Sequence, residues 1–399
     1  MLNRSSVLGA YFQGPPEDRA EGTELVKNSA MRWVRWIDPD HRCPDNPFRG
    51  RQRVLARLYL KDADEHRYMD RGAEGAVAYA ALMRPRIEKL KEMDIWDVGG
   101  PNEPHPTKAT APLHDAFTCK LVDLYYGWDM KLAGWDWGVG WPGLRRFGDE
   151  ARAQIGMAHQ TARSVDLMRQ ADGGVVVHEY NAPSVLNEGG NNDDSRTLRI
   201  KYTLAEWADA GVDVDNLRVI IGECGLDRSV MPGQPQAGWM SFKSWVYPSQ
   251  YGLQAGAMTD ERYWLQMSAL DDEYVKIKQI VAAFPFITNP WGQWASFNWP
   301  GPFIRRATEK HARVIAPPPD PDQPALAPVH AFLDRLPFSR KAAIALGLEF
   351  LDEVQTGPTA FAAVCVDRSK GQYVALPVQL VDSAWVAGQS QPLERPLTA

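Results

Sequence analysis

Cysteine is scarce in this chain and follows no pattern. The four among 399 residues, Cys43, Cys119, Cys224 and Cys365, form no CxxC pair and no Cys/His cluster of zinc-site spacing, so reduced thiols are expected rather than a disulfide framework or a zinc ribbon. A basic excess is missing too. The formal net charge of −6 offers no field for nucleic acid or anionic lipid, and neither is expected as a partner. No run of roughly 18 uncharged apolar residues occurs, so no spanning helix is expected. Residues 1–18, "MLNRSSVLGAYFQGPPED", lack the apolar core of roughly 7–15 residues and the small-residue cleavage site of a secretion signal. That reads as cytoplasmic, and release by lysis or with a phage would leave the same sequence. Walker loops and Ser or Cys nucleophile elbows are absent. Asp38, Asp40 and His41 lie in a Pro-rich loop without metal-ligand spacing, so neither metal nor cofactor is expected.

What the chain does contain is a globular composition, 44% hydrophobic and 24% charged, with 15 tryptophans. Its length suits one large α/β domain with an appendage, or two ordinary domains. Exposed aromatic faces serve as platforms for sugar rings, but large cores also use tryptophan. Short apolar segments rich in β-branched and aromatic residues recur at 6–12, 31–37, 53–60, 95–100, 131–140, 174–180, 216–223 and 292–299. Stretches of helical periodicity separate most of them, at 73–93, 114–128, 149–170, 196–210 and 260–284. Alternation of this kind predicts a (β/α)8 TIM barrel, with an open doubly wound sheet as the alternative. Residues 38–52 are too short and too rich in Pro and Gly for a helix, and 224–256 should form a large loop after the seventh strand. The predicted organisation is a barrel over 1–315, a stiff Pro-rich linker over 316–328, and a small C-terminal α+β extension over 329–399. In that extension a helix should precede two strands joined at Ser-Lys-Gly. No internal repeat is visible.

Two glutamates end barrel segments: Glu103 in "GGPNEP" and Glu223 in "VIIGECG". Carboxylates from the ends of strands four and seven can meet across a barrel mouth. Paired carboxylates are what glycoside hydrolysis uses, and a separation of about 5–5.5 Å implies retention whereas about 6.5–9.5 Å implies inversion. Strict alternation puts Val219, Ile221 and Glu223 on the inward face, and Val176, His178 and Tyr180 likewise, with Glu179 turned outward to an Arg and Cys224 packed behind the glutamate. Asn102 and Glu103 are neighbours, so both can reach the mouth only if the chain bends, which Gly99, Gly100, Pro101 and Pro104 permit. The end of strand five, "GWDWGVGW" (134–141), with Trp135, Asp136, Trp137 and Trp141, is a candidate subsite wall.

"WDVGGPNEP", "HEYNAP" and "IIGECGLD", in register at strands four, six and seven, resemble the clan A glycoside hydrolases, retaining (β/α)8 enzymes that act on carbohydrate. They are also similar to bacterial cellulase-like barrels, over residues 6–300. The resemblance implies that Glu103 is the acid/base, Glu223 the nucleophile, Asn102 the donor to the sugar 2-hydroxyl, and Tyr180 the residue orienting Glu223. It further implies that His178 lines the same subsite, that Trp294 or Trp299 forms the sugar platform, and that the clan's arginine is Arg35 or Arg57. The functional expectation is a retaining glycosidase cleaving β-linked oligo- or polysaccharide. The alternatives are a non-catalytic glycan-binding barrel of a phage or cell-surface assembly, and transglycosylation by the same residues.

Overall fold

Parallel strands joined by helices bury both faces, and this chain supplies the short apolar segments that such strands need. A computed structural model describes residues 4–13, 20–43, 45–107, 109–144, 157–186, 196–243, 258–288, 290, 292–312, 349–357, 360–367, 372–381, 384–387 and 391–392. The chain divides into two units, Met1–Ile315 and Ala316–Ala399.

The first unit is a (β/α)8 TIM barrel. Strands β1 (Ala10–Gln13), β2 (Trp33–Ile37), β3 (Arg53–Arg57), β4 (Asp97–Gly99), β5 (Lys131–Trp137), β6 (Gly174–Asn181), β7 (Val219–Leu226) and β8 (Ile280–Pro285) form one sheet in chain order. Each neighbouring pair is parallel. Parallel bridges from Leu8 to Ala283 and from Phe12 to Thr288 close the sheet on itself. Around it run α1 (Ala20–Lys27), α2 (Pro39–Arg42), α3 (Asp62–Met69), α4 (Gly72–Glu92), α5 (Ala111–Tyr126), α6 (Met157–Gln170), α7 (Ile200–Asp209), α8 (Asp260–Lys276) and α9 (Gly301–Ala312). Among the described residues, no helix is long and apolar enough to cross a membrane.

Period-2 alternation sorts the strand side chains into two apolar clusters. Tyr11, Trp33, Leu55, Ala133, Val176, Ile220, Ala282 and Phe284 fill the barrel. Their neighbours Phe12, Val34, Val54, Leu132, Val175, Val219 and Ala283 pack outward with the helices. Towards the C-terminal ends of the strands the inward residues become Arg35, Arg57, Asp136, His178 and Glu223, all buried. Unpaired charges there would be prohibitively costly, so the barrel top must be an ion-pair network.

Several expectations are corrected. The eighth strand is Ile280–Pro285, all but its last residue inside the stretch expected to be helical, whereas 292–299 holds a 3-10 helix, Gly292–Phe297. Helix α8 runs almost directly into β8, and a strand buried on both faces has no alternation to distinguish it from a continuing apolar helix. The segment 38–52 contains the single-turn helix α2, and Asp38 and Asp40 both pair with Arg86 of α4, at 2.6 and 2.7 Å. The loop after β7 contains 3-10 turns at Arg228–Val230 and Trp239–Lys243, while 244–257 lie outside the described residues.

In the second unit, β9 (Glu349–Gly357), β10 (Ala360–Asp367), β11 (Gln372–Val381) and β12 (Ala384–Ala387) form an antiparallel sheet, with β13 (Gln391–Pro392) paired to β11. The strands on either side of Ser-Lys-Gly pair as expected. Residues 349–354, expected at the end of a helix, belong to β9, which pairs with β10. The Pro-rich segment and 329–348 lie outside the described residues.

Candidate active site

Glu223 reaches the barrel mouth through a bulge, not through regular alternation. Val177 pairs with Ile221 but His178 pairs with Glu223, so Gly222 is an extra residue in β7. Ile220 lies in the inner cluster and Val219 and Ile221 in the outer one, the reverse of the expected faces for those residues. The bulge restores the glutamate to the inside. Only glycine fits there, because a Cβ on residue 222 would collide with Arg35 Nη1, Val176 Cγ1 and Asp136 Oδ1.

A second irregularity shapes β5. Its register with β6 shifts between Gly134 and Trp137, and Trp135 and Asp136 have φ of 72° and 25°. Asp136 thereby turns into the barrel while Trp135 and Trp137 turn out. Trp137 is fully buried and stacks on Trp135 (4.6 Å) and on Trp207 of α7 (5.8 Å), so it offers no ring face to a sugar. Trp299 is likewise buried, against Tyr263 and Trp264 of α8 and Phe303 of α9. Both tryptophans were candidates from sequence, and both are packing residues. Trp294 is half-buried at the edge of the inner cluster, against Phe286 and Phe297, which in turn touch Tyr180.

The expected bend brings Glu103 to the same place. Strand β4 ends at Gly99, Glu103 has φ 41°, and its N–H donates to the Asp136 carbonyl at 2.9 Å. One turn of α3 holds Asn102 from three sides. The Asn102 N–H donates to Glu65 Oε2 at 2.7 Å, its carbonyl contacts His66 Nε2 at 2.9 Å, and its amide Nδ2 donates to Asp62 Oδ1 at 3.4 Å. Burial pushes the Glu65 carboxyl up to about 7, against the opposing charge of Arg57.

Eight side chains meet at the mouth. Tyr11 and Tyr180 donate to the two oxygens of Glu223, at 3.2 and 2.9 Å. His178 lies between carboxylates: Nδ1 is 2.9 Å from Glu103 Oε1 and 3.7 Å from Glu223 Oε2, and Nε2 is 2.7 Å from Asp136 Oδ1. Asp136 is also 2.5 Å from Arg35 Nη2 and 3.9 Å from Arg57 Nε. Arg35 and Arg57, alternatives from the sequence, therefore both belong to the site. One ring nitrogen of His178 and one carboxylate oxygen each of Glu103 and Glu223 all lie within 4.8 Å of one another. The Glu103 side chain is 36% exposed and that of Glu223 11%.

Charge follows from this geometry. Burial works against an imidazolium, but Glu223 and Asp136, with hydrogen bonds to Asp136 and Glu103, raise His178 to about 10. Burial of Asp136 is outweighed by Arg35, His178 and Arg57, which hold it well below the carboxylate range. Burial of Glu103 is outweighed by its hydrogen bond to His178 and by the charge of that ring, which hold it low. Burial and the Glu223 charge push the Tyr180 hydroxyl up, so it remains a donor.

Glu179 faces outward as expected, with the charge of Arg199 among those acting on it. It accepts from the N–H groups of Leu198 and Ile200 and from the Tyr274 hydroxyl, at 2.6, 2.9 and 2.8 Å. Burial raises it to about 7 against those bonds. A carboxyl raised on folding retains its proton in the native state, so stability is full below the unfolded value and declines as pH rises through about 7. Thermal unfolding of Glu179→Gln should therefore show a shallower loss of stability between acidic and neutral pH than the parent, by roughly 3 kcal/mol. An unchanged slope would mean that Glu179 titrates normally.

Sequence reading missed Tyr11, Glu65, His66 and the role of Asp136. Asp136 carried a faint signal, as a carboxylate alternating with two tryptophans in a strand. Tyr11 carried none.

No protein-family model matches this sequence, and no curated protein sequence does. Among solved structures, the chain is similar to the crystal structure of a GH128 (subgroup VII) oligosaccharide-binding protein from Trichoderma gamsii, with a TM-score of 0.35 and 10% identity, covering 77% of this chain and 96% of that one.

Proposed function

We propose that the barrel is a retaining glycoside hydrolase acting on β-linked glycan. The observation that carries this reading is the placement of Glu103 and Glu223 oxygens within 4.8 Å of one another in the barrel mouth. Nearest oxygens this close suit the separation of about 5–5.5 Å at which one carboxylate attacks directly better than the about 6.5–9.5 Å that inversion uses to seat a water. Glu223, the less exposed and held by Tyr11 and Tyr180, attacks the anomeric carbon. Glu103, the more exposed, protonates the leaving oxygen as the glycosidic C–O bond breaks. Water then releases the glycosyl ester, giving its proton to Glu103. Arg57 Nη2 and Asn102 Oδ1 are buried without a hydrogen-bonding partner in the protein, and both flank Asp62. Trp294 is the platform candidate.

A covalent trap tests the assignment. Incubation with a panel of activated 2-deoxy-2-fluoro β-glycosides should add one glycosyl mass to the protein, and peptide mapping should place it on Glu223. Labelling at any other residue would overturn the assignment of the nucleophile.

One observation favours the second reading, a glycan-binding barrel without turnover. Glu103 lies 2.9 Å from His178 Nδ1, and the hydrogen bond and charge of that ring hold its carboxyl low, whereas an acid catalyst must start protonated. Oligosaccharide binding by calorimetry, with no reducing ends released and no covalent label, would support this reading over the first.

A further inference from the structure

We propose that His178 stores the proton that Glu103 delivers to the leaving oxygen, through an Asp136–His178–Glu103 relay. The inference rests on the glycosidase reading and supplies what that reading lacks, a source for the acid's proton. Both ring nitrogens of His178 face carboxylate oxygens, Nε2 to Asp136 at 2.7 Å and Nδ1 to Glu103 at 2.9 Å. The ring is fully buried. An imidazole can satisfy two carboxylates only by donating from both nitrogens, or by passing one proton to a carboxyl and accepting it back. Asp136 is the wrong recipient, because Arg35 at 2.5 Å and Arg57 at 3.9 Å hold it as an anion. The transferable proton is therefore the one between Nδ1 and Glu103 Oε1.

Three charged neighbours of the ring support this arrangement, while Arg35 and, when protonated, His105, which acts on both His178 and Glu103, oppose the cation. Asp136 on β5, Glu103 after β4 and Glu223 on β7, at 3.7 Å, favour the cation. Arg35 on β2, with Nη1 3.5 Å from Nε2, opposes it, and is itself paired to Asp136. Arg57 on β3 acts through Asp136, while Tyr11 on β1 and Tyr180 on β6 are donors to Glu223.

The step balances. The proton moves from Nδ1 to Glu103, leaving a neutral ring whose Nε2–H still donates to Asp136. Glu103 passes it to the leaving oxygen while the Glu223 to carbon bond forms and the glycosidic bond breaks. In the second half, the attacking water gives a proton to Glu103, which returns it to Nδ1. Developing negative charge on the leaving oxygen draws the proton out of the store at the transition state.

The experiment uses the full chain labelled with nitrogen-15 histidine, with His178→Asn identifying the resonance. Both His178 ring nitrogens should carry protons at neutral pH, and a neutral ring would overturn the store. On a glycan found to be hydrolysed, the alkaline limb of kcat/KM should lie above neutrality in the parent and move down to the carboxylate range in His178→Asn. A limb that does not move would overturn the relay. An imidazolium without turnover on any glycan, and without a covalent label on Glu223, would sink the glycosidase reading and the delivery step together. A neutral ring with normal turnover would sink only the store.

Discussion

Glu223→Gln is expected to lower kcat on a hydrolysed glycan by about four orders of magnitude or more, with little change in oligosaccharide affinity. The amide has the shape of the carboxylate and its oxygen still accepts from Tyr11 or Tyr180, whose hydroxyls are 3.2 and 2.9 Å from the two glutamate oxygens. The fold therefore survives while the anionic nucleophile is replaced by a weakly nucleophilic amide. The smaller variant Glu223→Ala opens space beside the anomeric carbon, and added azide should restore turnover by occupying it, giving a glycosyl azide of inverted configuration. Turnover of Glu223→Gln at the parental rate would show that this carboxylate is not the nucleophile. Azide rescue with the original configuration would show that it acts as the acid/base instead.

Asp136→Asn is expected to destabilise the barrel by about 3–5 kcal/mol, because it leaves buried cations without their common partner. Asp136 is 2.5 Å from Arg35 Nη2, 2.7 Å from His178 Nε2 and 3.9 Å from Arg57 Nε, and it is fully buried. Removing its charge leaves Arg35 and Arg57 facing each other, and the His178 cation supported only by the two glutamates. Urea unfolding followed by tryptophan fluorescence measures the loss, and adding Arg35→Met to the variant should recover part of it by removing one stranded charge. A loss under about 1 kcal/mol would mean that the arginines are neutralised elsewhere.

Much of the site was legible because its signals are local. Glu103 beside Pro-Asn, His178 and Tyr180 two residues apart, and Glu223 at the end of an apolar run each announce a strand end, and period-2 spacing assigns the faces of β6 correctly. The same rule failed on β7, since a bulge is a backbone event that no side-chain pattern records, and β5 carries a register shift of the same kind. Alternation assigned Val219 and Ile221 to the inside. Gly222 was the visible trace of the bulge, but a glycine in a strand is equally consistent with close packing. For Trp137 the reason is related: a ring that stacks on a helix and a ring that stacks on a sugar have one and the same composition signal, and the turn of β5 is what puts this one on a helix.

By itself, then, the sequence determined most of the strand and helix alternation among the described residues up to Lys276, the two strand-end glutamates, and the histidine and tyrosine that meet them. These depend on near neighbours in the chain. Tertiary structure decided that Tyr11 joins them, that both Arg35 and Arg57 do rather than one, and that Asp136 turns inward, because closing the barrel brings β1, β2, β3 and β5 to one rim. It also decided the charge of each group. Whether Glu103 or His178 holds the shared proton depends on distances of 2.5–3.9 Å between residues up to 143 positions apart, and in a buried site those distances set the electrostatic energy.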